Sequence, residues 1–323
     1  MSEIEDAQTT ITRLLKHNLR VVKDNGALAN ITVSDEFPQA DALKGYDGQI
    51  TVALTDVSTQ KLELSGTTRK RTQTLRVNVW TTDFPHSENA RLMRNKLVEE
   101  VNRVISKNRL YPNQTLYDFL GCVNGSQTCK AFQGTAEHAP GDSLWVEFSS
   151  LGYQQLWYSD DTRIQVSSSQ NGDYAVLLLG FKLESRKAAV KKVVLSFEGY
   201  GSSPTGDSII VKVWNNATEV WQSPQTQEGN GQDHTVSITL TENLVDYVDS
   251  NGYVWLTAQT ANPSNGSTPA TLLCDYASCT VTVNGVTYCN VSGYRQIDVL
   301  DVKPFIFRTE FTVKSWFFEN KGE

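Results

Sequence analysis

Four histidines in 323 residues are few, and they are scattered (His17, His86, His138 and His234). None stands in an H-E-x-x-H or H-x-H setting, which excludes the commonest zinc and general-base arrangements. The five cysteines show no C-x-x-C spacing, so a zinc ribbon is excluded as well. G-x-x-x-x-G-K-[ST] and G-x-S-x-G are both missing, and with them the commonest phosphate cradle and nucleophile elbow. The glycine-rich stretch Gly199–Gly206 precedes a strand pattern rather than a helix start, so it reads as a turn. No apolar run approaches 18 residues, so no transmembrane helix and no membrane partner are expected. The opening MSEIEDAQTT is acidic and polar, without the apolar centre of a secretory signal. No acid/base pair, activated nucleophile or metal set is visible, so the expectation is not an enzyme, with no cofactor and no metal.

What is present is uneven. Residues 1–115 hold 16 Lys/Arg and 14 Asp/Glu, and residues 291–323 hold 5 and 5; residues 116–290 hold 8 and 17. All five cysteines (Cys122, Cys129, Cys274, Cys279, Cys289) lie in that sparsely charged, acidic middle. A composition that changes and then changes back points to one domain interrupted by another. Without a secretory signal the cysteines read as buried or reduced thiols, although Cys122 and Cys129 bracket a small loop. Cys274 and Cys279, five apart, would face opposite sides of one strand.

The ends carry helix and strand periods. Ile4, Ala7, Ile11, Leu14, Leu15, Leu19 and Val22 predict an amphipathic helix over 4–22, stopped by Asp24-Asn25-Gly26. Alternation predicts strands at 49–55, 60–64 and 73–81, an antiparallel meander. Ser87 is the expected cap of a second helix over 88–107. A last strand over 303–319 sets Phe305, Phe307, Phe311, Val313 and Phe317 on one face, and Ile306, Arg308, Glu310, Lys314 and Trp316 on the other. So apolar a ribbon needs a sheet, and the N-terminal meander is the host with matching composition. The expected class is therefore α+β: an antiparallel sheet flanked by two helices over 1–115 plus 291–323. A connecting segment over 116–156, with strands at 144–148 and 153–158, leads to an inserted all-β sandwich, jelly-roll-like, over 157–284. Seven strand patterns separated by Gly/Asn/Asp/Ser/Pro turns carry that last expectation.

Candidate contact residues follow from exposure patterns. Arg69, Lys70 and Arg71 read as a basic hairpin tip, suited to phosphates or an acidic protein surface, or simply a solvated end that resists edge pairing. Trp80 and Trp316 fall on the sheet face opposite the helices, where polar residues are usual; a subunit contact or cover by 113–156 explains them. In the sandwich, Trp214, Trp221 and Trp255 suit stacking on a sugar or burial in the core. Asp160, Asp161 and Asp173 read either as a calcium loop or as solvated acids.

The order helix, meander, long helix and closing strand resembles the tail terminator (tail completion, head–tail joining) proteins of long-tailed phages and archaeal tailed viruses. The residues carrying the likeness are ITRLLKHNLRVV, QITVALT, KLELSGTTRKRTQTLRVNVWTTD, ENARLMRNKLVEEVNRVISKNR and FRTEFTVKSWFFE. The resemblance implies a virion structural protein made in the host cytoplasm. It would form a homohexameric ring in the tail and neck, partnered by a tail tube protein and a head-side connector. Double-stranded DNA would pass through without sequence recognition. A tail tube or neck component of related fold is the nearest alternative. Residues 157–284 depart from the family's short form and are similar to jelly-roll surface modules, so a carbohydrate-binding surface protein is the alternative of another class.

Overall fold

A computed structural model describes residues 3–35, 45–63, 68–83, 89–229, 231–301 and 303–320. The chain divides into two compact units, one made of Met1–Thr115 with Val283–Glu323 and the other of Leu116–Thr282. The expected α+β class is corrected: among the described residues sixteen strands in three sheets stand against three α-helices, so the chain is mostly β. The physical reason lies largely in residues 116–156, which are no connector. They supply strands that complete the sandwich-like sheets of the second unit.

The first unit opens with α1 (Ala7–Asn18), capped by Asp6, whose carboxylate accepts from the Thr9 amide at 2.8 Å. The helix is shorter than expected; Ile4 and Val22 are exposed beyond its ends. A short strand β1 (Ile31–Ser34) runs parallel to β2 (Gly48–Lys61). The latter pairs antiparallel with β3 (Thr68–Thr82). The pattern at 49–55 belongs to one long strand that runs on to Lys61 with a register shift between Leu54 and Asp56; Leu62 and Glu63 of the expected strand 60–64 lie beyond its end, and the meander is a hairpin. Leu64 and Ser87 lie outside the described residues. Asn89 caps α2 (Ala90–Lys107), accepting from the amides of Arg91 and Leu92.

Among its described residues the second unit holds eleven strands. β4 (Gln114–Asp118), β5 (Cys129–Gly134) and β6 (Val146–Glu147) come from the supposed connector, followed by α3 (Ser150–Gln154) where a strand was expected. Next come β7 (Ile164–Ser168), β8 (Val176–Lys182), β9 (Val190–Ser202), β10 (Ile209–Asn215), β11 (Val220–Gln227), β12 (His234–Leu240), β13 (Tyr253–Thr260) and β14 (Ala270–Val283). One sheet has the order β11-β10-β13-β8-β5-β6; the other runs β12-β9-β14-β4, with β7 also on β14. Val211, Val213, Leu177, Leu179, Phe181, Val254 and Leu256 are buried on one side of the six-stranded sheet. Phe119 meets Phe181 edge-on at 5.3 Å. Central strands β8 and β13 are buried on both faces, unlike the alternation of a sandwich strand with one wet face. Burial along β14 changes from even to odd positions between Cys274 and Asp275. Cys274 and Cys279 are both buried along it. Gly199 of β9 allows the close approach there: a methyl built on it would lie 2.1 Å from the Leu273 carbonyl oxygen.

The chain then returns to the first unit as β15 (Tyr288–Val299) and β16 (Ile306–Asn320). The last strand does pair with the N-terminal sheet, lying between β3 and β15 in the order β1-β2-β3-β16-β15. Both helices pack on one face of this sheet. Ile11, Leu14 and Leu15 of α1 and Met93, Leu97, Val101 and Val104 of α2 join Ile50, Val52, Leu75, Val77, Val79, Phe311 and Val313 in one core. Arg94 of α2, fully buried, reaches Asp298 of β15 at 2.5 Å and so ties the helix to the edge strand.

Candidate functional site

The three sandwich tryptophans are brought into one cross-strand row. Trp214 on β10 pairs directly with Trp221 on β11, and their rings meet edge-on at 5.1 Å. Continuing the β10–β13 register one step past Val213 and Leu256 puts Trp255 beside Trp214. Trp255 in turn pairs with Gly180 on β8, and Gly180 with Lys130 on β5. Strand alternation puts all of them on the side of the six-stranded sheet opposite Val213, Leu256 and Leu179. Gly180 matters here: a methyl on it would lie 2.5 Å from the Trp255 ring, so the missing side chain is what lets the indole lie flat on the sheet. Gly134 does the same under Trp145.

Hydrogen bonds hold the rings. The Trp255 indole N–H donates to Asp249 Oδ2 at 2.9 Å, that of Trp221 to the His138 carbonyl at 3.1 Å, and that of Trp145 to the Ala139 carbonyl at 3.0 Å. Tyr253 stacks on Trp255 with centroids 5.2 Å apart, and burial raises its phenol pKa. Phe132 and Tyr174 pack against the same cluster. Polar pairs line it: Lys212 with Glu137, and Lys130 with Glu147. Burial opposes ionisation of Glu147, but hydrogen bonds from Tyr153, the Gly125 amide and Lys130 outweigh it and lower the carboxyl pKa.

The three rings are not equally open. Trp214 and Trp255 are each 8% exposed, while Trp221 is half-buried. Contacts from Glu137, His138 and Trp145 show that residues 135–145 lie across part of this face. Trp214 and Trp255 therefore act mainly as the packed floor, and Trp221 is the ring that solvent reaches. Phe132, Trp145, Tyr253 and Gly180 were not singled out from sequence. A signal existed for Tyr253, which shares a strand face with Trp255 at a spacing of two.

The other candidates resolve differently. Arg69, Lys70 and Arg71 are not a projecting tip. They follow Thr68 at the start of β3, laddered to Thr59, Gln60 and Lys61 on one side and to Phe317, Phe318 and Glu319 on the other. Their side chains alternate across the sheet: Arg71 pairs with Glu319 at 3.0 Å, and Lys70 sits 4.4 Å over Trp316. Trp316 also stacks on Tyr288 at 3.9 Å. The Trp80 indole donates to Thr51 Oγ1 at 3.1 Å beneath the Arg308 guanidinium, 4.6 Å from the ring centroid. Trp80 and Trp316 do share the face away from the helices, and residues of their own sheet cover them in part.

Asp160 and Asp173 are not brought together with Asp161; Asp173 accepts from Ser168 Oγ instead. Asp161, Asp233 and Asp275 do converge, but Arg163 bridges the first two at 2.5 Å each. One internal cation thus sits on two of the three carboxylates. Cys122 and Cys129 form a disulfide, whereas Cys274, Cys279 and Cys289 are free and buried.

A family model described as "Uncharacterized protein, C-terminal domain" matches residues 127–283, just under half of the chain. No curated protein matches. Among solved structures, the chain is similar to a CBM29-2 family 29 carbohydrate binding module complexed with mannohexaose, at 11% identity and a TM-score of 0.31, over 52% of this chain and 92% of that one. It is similar to the xylan-binding module CBM15 at 12% identity and a TM-score of 0.31, over 53% and 98%. A third likeness is to TmCBM61 in complex with β-1,4-galactotriose, at 9% identity and a TM-score of 0.23, over 55% and 93%. Similarity this distant leaves the binding chemistry to be argued from the chain's own residues. None of these findings bears on the tail-terminator resemblance.

Proposed function

We propose that this chain is a non-catalytic binding protein whose sandwich unit contacts carbohydrate through the aromatic face of its six-stranded sheet. The observation that carries the reading is the row Trp221–Trp214–Trp255, laid across three adjacent strands on a face where alternation calls for polar residues. Flat indoles match the C–H faces of a pyranose ring, and flanking charged groups match its hydroxyls. Trp221 supplies the contact; Trp214 and Trp255 hold it rigid. Affinity electrophoresis of the full chain through gels containing neutral polysaccharides (mannan, xylan, β-1,4-galactan) tests this. Retardation by at least one polymer, lost in Trp221→Ala, is expected. Equal mobility in every gel would end the proposal.

The tail-terminator reading remains a second proposal, for the first unit. What favours it is the interior place of β16, between β3 and β15: the two ends of the chain build one sheet with two helices on a single face. In that reading six copies close a ring that caps a tail tube. Native mass spectrometry distinguishes it, a hexamer supporting the ring and a strict monomer removing it.

A further inference from the structure

The helix-free face of the first unit's sheet concentrates positive charge in a regular way. Successive rows along β16 present one cation each: Arg308, then Arg295 beside Glu310, then Arg76 beside Thr312, then Lys314. Three of these cations share a single carboxylate. Arg308 Nη2 bonds Glu310 Oε2 at 2.6 Å, Arg295 Nη2 lies 2.9 Å from Oε1, and Arg76 Nε lies 3.3 Å from Oε2. The carboxylate is 8% exposed, whereas Arg76 and Arg295 are 45% and 69% exposed. One buried negative charge thus gathers three guanidiniums and leaves two charges in excess, on the partly exposed side chains of Arg76 and Arg295.

The excess belongs to the face as a whole. Lys70 adds a fifth cation over Trp316, and among the described residues exposed Asp56, in the row of Lys314, is the other acid on it. Burial lowers the pKa of Arg308, and the charges of Arg76 and Arg295 push the same way against Glu310. A surface patch with an excess of like charge is complementary to a polyanion. Arginine forks favour phosphate over a simple counter-ion.

We propose that this face binds the phosphodiester backbone of duplex nucleic acid, without reading sequence. Fluorescence anisotropy of a labelled duplex DNA with the full chain, over a salt series, tests it. Binding at low salt is expected, with affinity falling linearly on a log–log scale. The double variant Arg76→Ala/Arg295→Ala should bind more weakly and lower the slope by about 2. Arg76→Lys/Arg295→Lys, which keeps both charges, should retain the slope. No binding at low salt would overturn the proposal, as would an unchanged slope in the alanine variant or a slope lost equally in the lysine variant. Binding of heparin with no binding of DNA would also overturn it, in favour of an acidic glycan.

Discussion

At the scale of single residues, the buried thiols contribute to the loss of stability at alkaline pH. Burial pushes the Cys289 thiol up to about 12 and raises those of Cys274 and Cys279. An acid whose folded pKa lies above its unfolded value loses its proton first in the unfolded chain. Stability is therefore intact below the ordinary thiol value of 9.0 and declines as pH rises from there toward about 12. Urea midpoints measured across that range should fall, and replacing the three cysteines by alanine should flatten the fall. Titration with a thiol reagent should find no reactive group in the folded protein, three in denaturant, and five once reductant has opened the Cys122–Cys129 bond. Gly180 is the other decisive single residue. Gly180→Ala forces the Trp255 indole off the sheet; an overpacking cost of about 1–3 kcal/mol is expected, read as a lower urea midpoint with red-shifted tryptophan emission.

At the scale of elements, β16 does the joining. Its Phe311 and Val313 are fully buried beneath both helices, and its backbone is laddered on either side. Phe311→Ala should destabilise the first unit by about 3–5 kcal/mol, measured by chemical denaturation as an earlier transition for α1 and α2. The strand was legible because five large apolar residues alternate over 303–319. Its neighbour β15 was not. YCNVSGYRQIDV is polar, its register shifts between Val291 and Gly293, and only its position at the sheet edge makes it a strand. β11 was missed for the same reason: WQSPQTQ reads as a turn until β10 pairs with it. Likewise α2 has the expected apolar stripe, but Asn89 caps it, and propensity ranks Asn and Ser alike at that position.

At the scale of the whole molecule, the two units make a specific demand on truncation. A fragment of residues 1–115 lacks β15 and β16 and would bare the long edge of β3. It is expected to aggregate on expression, whereas residues 116–282 are expected to give a soluble β-type circular dichroism spectrum; an aggregated 116–282 would refute their independence. By itself the sequence determined where composition reverses, which face of each long strand is apolar, and which tryptophans deserve notice, because those depend on local period and charge alone. Only the tertiary structure decided that residues 116–156 build sheets, that the basic triplet is laddered between two strands, and that three tryptophans line up in one row. It also decided that Arg76, more than 200 positions from Arg295 and Arg308, shares one carboxylate with them. Those facts depend on register between strands distant in the chain, and register is set by pairing partners that no local pattern names.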